Sequence, residues 1–125
     1  MVAQGVFAAS LLSSAVNALI AVLAHTLGAP EGFDPLEPSS YVFPTALGVL
    51  AGAAGWALVR RFSHNPERLL RRLVPSVVVA SCVPDFFLFG EGGAAGVVAL
   101  LLMHIAVAVI AVPVYRRVLP LSPAR

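Results

Sequence analysis

Charge is scarce in this chain, and lysine is missing altogether. Asp, Glu, Lys and Arg make up 11% of the 125 residues, hydrophobic residues 59%, and mean hydropathy is +0.93. A soluble domain carries roughly 25% charged residues, so this composition excludes one. A single cysteine, Cys82, excludes an internal disulfide and a cysteine-based metal cluster. HxxH, HExxH and CxxC patterns are lacking, as is any cluster of carboxylates, and no metal site is expected. The first apolar run has no basic flank before it and exceeds the 7 to 15 residues, roughly, of a cleavable signal core, so it reads as a retained helix.

Four apolar runs remain: Gly5–Leu27, Tyr41–Val59, Leu73–Phe89 and Ala94–Val114. Each has about the 20 residues needed to cross a hydrocarbon core of ~30 Å. All eight basic residues are arginines, and their placement is asymmetric. Arg60, Arg61, Arg68, Arg71 and Arg72 separate the second and third runs, while Arg116, Arg117 and Arg125 follow the fourth. The other two connections hold Glu31, Asp34 and Glu37, or Glu91, with no basic residue. Positive charge stays on the cytoplasmic side. The reading is therefore one domain, residues 1–125, an all-α, polytopic integral membrane four-helix bundle in the cell membrane with both termini cytoplasmic. Membrane lipids are its expected partners. Anionic headgroups account for the arginines, and no nucleic acid is expected.

Asp85 is the only carboxylate inside an apolar run, and an ionisable group at membrane depth points to function. Pro84 removes the backbone bond to the Ala80 carbonyl, which predicts a free acceptor beside it. Pro75 and Pro44 are expected in the first turns of their helices, where a proline costs little. Ser10, Ser13 or Ser14, and Asn17 form a polar stripe on the first helix; Gly96, Leu100, His104 and Ala108 share one face of the fourth. At about 1.5 Å per residue, Asn17, Asp85 and His104 all fall between the midplane and the outer third. They are the candidate catalytic residues, with Ser81 a turn below Asp85. A carboxyl and an imidazole in one apolar pocket titrate as a pair and can donate or accept a proton. The competing reading is that they are interhelical hydrogen-bond glue.

Tyr41, Trp56 and Phe86 complete the candidate substrate-binding set, since aromatic faces stabilise a passing cation; they also suit a membrane interface. His25 is offset from His104 by roughly 10 Å in depth, so paired haem ligation is not expected and no cofactor is assigned. His64 is read as a solvated loop residue. The 28–40 connection, rich in proline, glycine and acid, is read as a non-helical external loop long enough to fold over the mouth of the bundle. Gly48 and Gly52 form a GxxxG pattern suited to close helix packing, including a homo-oligomer.

Asn17, the SCVPD of Ser81–Asp85 and the LLMH of Leu101–His104 resemble an uncharacterised group of small four-helix actinobacterial membrane proteins. That resemblance implies the architecture and no activity. In size, topology and membrane acid the chain is also similar in type to small bacterial membrane-bound cyclases of meroterpenoid pathways. Three functions follow as expectations. An acid–base enzyme of cyclase or isomerase type would use Asp85, oriented by His104 and Asn17, to protonate a lipid-soluble isoprenoid, a hydrophobic small-molecule partner. A small proton-coupled transporter would use Asp85 as its coupling carboxylate. A structural or accessory subunit would use the polar triad only to hold helix register.

Overall fold

The computed structural model describes residues 1–121, and the regular elements among them are all helical. Helix α1 spans Val2–Thr26, α2 Pro38–Phe62, α3 Pro66–Cys82 and α4 Phe89–Val118, with 3-10 turns at Asp34–Leu36 and Val83–Leu88. Val2–Thr26, Ser40–Phe62 and the run Pro66–Val118 are long and apolar enough to cross a membrane. The last run, of 53 residues, folds back on itself. Helix α3 packs on α4, and Arg116 near the end of α4 donates two hydrogen bonds, of 2.8 and 2.9 Å, to Glu67 in the first turn of α3.

Many large apolar side chains point outward, Phe7, Leu19, Val79 and Val109 among them, while the buried face of α1 is mostly small or polar. This inversion suits lipid, where apolar side chains gain little by burial and helices associate by close packing of small residues. The buried face of α1 is Val6, Ala9, Ser13, Asn17, Ala21 and Ala24. Steps of three or four residues keep these on one stripe, and that stripe makes the most extensive helix contact in the molecule, with α4. Approach is so close that a Cβ on Gly5 would stand 2.8 Å from Cγ1 of Val118. Of the expected polar stripe, Ser13 and Asn17 are buried in this seam, whereas Ser10 and Ser14 lie half-exposed at its edges.

Helix starts differ from the sequence expectation. Helix α2 begins at Pro38, so Pro44 lies within it, beyond the first turn. Asn65 caps α3, its side chain accepting from the Arg68 N–H at 3.2 Å, and Pro66 takes the first helical position. Most of the arginine-rich connection is therefore helix, and Pro75 is an interior residue. Local capping chemistry extended these helices past the apolar runs by which they were delimited. His64 does sit exposed in the short bend before the cap.

The 28–40 connection is not wholly irregular: it carries the Asp34–Leu36 turn and sends Phe33 and Leu36 into the core. The Phe33 ring covers Gly92 and Gly96, where added Cβ atoms would stand 2.5 and 2.9 Å from it. The loop thus caps this end of the molecule through one aromatic ring seated on two glycines. Helix α4 breaks beside that contact at Gly93, with φ 66° and ψ −174°, a region closed to L side chains. Gly93→Ala is expected to lower stability by about 1–3 kcal/mol, read as a fall in thermal midpoint in detergent. Gly90→Ala, at a position with open space and ordinary helical backbone, should leave the midpoint unchanged.

Candidate functional site

Helix α3 ends at Cys82 because the backbone tightens there. Pro84 has no N–H to offer the Ala80 carbonyl, yet that carbonyl is not free: the Val83 N–H donates to it. The expected orphan acceptor is thus removed by a shift to 3-10 geometry, which continues to Leu88. Asp85 consequently lies in a 3-10 turn beyond the end of α3 and not inside an α-helix. Residues three apart are eclipsed in 3-10 geometry, so Cys82 and Asp85 project on the same side.

Asp85 is 8% exposed, and its Oδ2 lies 3.1 Å from Nδ1 of His104 on α4. The imidazole is held from behind, Nδ1 being 2.8 Å from the Leu100 carbonyl, one turn earlier on the same helix. A proton on Nδ1 is directed at that carbonyl, and Asp85 Oδ2 is left buried without a hydrogen-bond partner. Cys82 joins the pair: one donor atom each from Cys82, Asp85 and His104 lie within 4.8 Å of one another. The other half-buried histidine, His25, is apart from this group and sits 3.3 Å from the Ala29 carbonyl.

A half-open cavity of about 760 Å³ lies beside the pair, walled chiefly by α2, α3 and α4. Its lining is mostly apolar, including Leu73, Val77, Leu88, Met103 and Val107, with Asp85 and His104 as its ionisable pair. Asn17, Ser81, Tyr41 and Trp56 also face it. Phe86 does not: it lies outside, largely exposed, with its ring stacked 6.5 Å from that of Phe89. Ser81 spends its hydroxyl on the Val78 carbonyl at 2.7 Å. Trp56 donates to the Leu119 carbonyl at 3.0 Å, which fixes the indole at the far end of the cavity from Asp85.

Asn17 shares the cavity with Asp85 but bonds elsewhere, its side-chain amide donating to Thr45 Oγ1 at 3.1 Å. Two further residues, absent from the candidates drawn from sequence, shape the site. Thr45 is the buried partner of Asn17, and Tyr115 donates to the Val49 carbonyl at 2.6 Å across the gap from α4 to α2. Tyr115 lies one residue past the fourth apolar run, which is why a reading by hydropathy passed over it. The glycines of α2 divide: a Cβ on Gly52 would strike the Tyr115 hydroxyl at 2.6 Å, whereas Gly48 and Gly55 have open space. All three border the cavity.

The fold and site together define a helical membrane protein in which a carboxylate and an imidazole face an apolar cavity. Residues 1–120 match a family of unknown function, DUF6069, and the chain belongs to that family. Comparison with curated proteins and with solved structures yields no match. In a double-mutant cycle, Asn17→Ala and Thr45→Ala should show a coupling of about 0.6–1.7 kcal/mol in unfolding free energy. An additive result would mean that Asn17 does not act through Thr45.

Proposed function

We propose that the chain crosses the cell membrane four times with both termini on the arginine-rich, cytoplasmic side, and that it is an acid–base enzyme of cyclase or isomerase type. Asp85 delivers a proton to a lipid-soluble, isoprenoid-like substrate held in the cavity, and His104 orients and recharges the carboxyl. The reading is supported above all by one observation: an apolar space of about 760 Å³, large enough for a hydrocarbon chain, whose lining brings together a carboxylate and an imidazole, Asp85 and His104. A carboxylate serving only as interhelical glue would be satisfied by its neighbours. Tyr41 on the cavity wall supplies an aromatic face for a developing cation, and Trp56 closes the far end.

The half-open shape favours one other reading, a small proton-coupled transporter that uses the same carboxylate to release its cargo. Both readings require a ligand in the cavity, and Trp56, the single tryptophan, lines it. Farnesol or geranylgeraniol added to the purified protein in detergent should change Trp56 fluorescence saturably. Gly48→Leu, which adds a side chain in open space at a position that lines the cavity, should weaken that binding at least about tenfold while the fold is kept. Asp85→Asn should preserve binding and lower turnover of an isoprenoid substrate by about 10²–10⁴-fold, the usual contribution of a general acid. If Asp85→Asn leaves chemistry untouched but abolishes proton-driven uptake in vesicles, the transporter replaces the enzyme. Absence of saturable binding would sink both.

A further inference from the structure

The geometry points to a transition-metal site of the zinc type at Cys82, Asp85 and His104, with its fourth coordination position open to the cavity. Three separate observations carry it. The first is convergence: a thiol, a carboxylate and an imidazole, from two elements and the turn between them, place one donor atom each within 4.8 Å of one another. With bonds of about 2.0 Å to N or O and about 2.3 Å to S, tetrahedral ligands stand roughly 3.3–3.8 Å apart. Asp85 Oδ2 and His104 Nδ1 stand 3.1 Å apart, near that separation; to ligate through Nδ1 the imidazole carries its proton on Nε2 and gives up the Leu100 carbonyl to which Nδ1 is otherwise bonded.

The second observation is the orphan. Asp85 Oδ2 is buried and unpartnered, and leaving a carboxylate so placed is costly. An ion between the three donors gives that oxygen its partner. The third is charge. A divalent ion bound by one thiolate, one carboxylate and a neutral imidazole makes a site of zero net charge, the condition under which ionised groups are tolerated at membrane depth. The mixed S, N, O donor set selects zinc-like metals over Mg²⁺ and Ca²⁺, which take oxygen ligands. Three protein ligands with one open position is the pattern of catalytic and not of structural zinc.

The inference deepens the reading above and rests on it only for the cavity into which the fourth position opens. With an ion bound, Asp85 would be a ligand, and the proton that the reading above assigns to its carboxyl would come instead from a water on the ion. Sequence motifs did not reveal the site because its donors are not contiguous: two are three residues apart on a 3-10 turn and the third lies 19 residues further along the chain, on α4.

Cobalt(II) is the probe. Full-length protein in detergent, stripped with chelator, should bind one equivalent of Co²⁺ with a thiolate-to-cobalt charge-transfer band and the intense visible absorption of tetrahedral cobalt. Zn²⁺ should bleach both. Cys82 is the only cysteine, so the charge-transfer band reports this site alone. Cys82→Ser should abolish the band, and Asp85→Asn and His104→Ala should each weaken Co²⁺ binding at least about tenfold. His25→Ala should change nothing. Folded wild-type protein that gives no band would overturn the site, as would a band that survives Asp85→Asn and His104→Ala at unchanged affinity, the mark of an adventitious thiol. Neither outcome touches the binding of farnesol followed through Trp56, so the metal site and the cavity reading fail separately.

Discussion

Close approach of α1 to α4 is the constraint on which the rest of the structure depends. Water drives no helix pairing in lipid, so two helices stay together only where their surfaces fit. Ala9, Ser13, Ala21 and Ala24 on α1 provide that fit against an α4 that offers Gly96, Ala99 and Ala111 on its buried side. Once this pair is set, the remaining helices cannot pack as tightly. Helix α2 is held to α4 by a strut, the Tyr115 hydroxyl on the Val49 carbonyl, and to α1 by the Asn17–Thr45 bond. These polar contacts tie α2 to α4 and to α1, and the cavity is walled on its other side by α3. The cavity is the geometric remainder of one tight seam and two struts.

The polar end of that cavity arises from a backbone event. Pro84 forces the chain out of α-helical bonding, and the tightened turn that follows aligns Cys82 with Asp85. The chain then reverses at Gly93 and returns as α4, which brings His104 opposite Asp85. Phe33 secures the reversal by seating on Gly92 and Gly96 from the other side. Side chains from four separate stretches of sequence thus determine where one carboxylate points. Small glycine and alanine positions matter here as much as the ionisable ones, since each marks a place where another group must come close.

Much of this was legible in the residues. Apolar runs identified the helices because a membrane span has a length requirement that composition exposes directly. Counting a fixed rise per residue put Asp85 and His104 at one level, and the two side chains do meet, at 3.1 Å. Boundaries were less legible, since the Pro38 start and the Asn65 cap depend on local backbone chemistry outside the apolar runs. Rotation about each helix axis was least legible of all. Asn17 lines the same cavity as Asp85, yet its amide turns to Thr45, and Phe86, adjacent to Asp85 in sequence, lies exposed outside the cavity. One residue along a tight turn reverses the direction of a side chain, and no hydropathy pattern records that reversal.

On the proposed reading Asp85 is under two opposing demands. An apolar cavity is useful to a hydrocarbon ligand because it is dry, but dryness raises the cost of an ionised carboxylate at its end. A conventional ion pair would meet that cost by locking the carboxylate, and a locked carboxylate presents nothing to a ligand. Here the imidazole is anchored to the Leu100 carbonyl at 2.8 Å, with Nδ1 3.1 Å from Asp85 Oδ2. The seam, the struts and the seated Phe33 supply the rigidity that an interhelical bond at Asp85 would otherwise have provided.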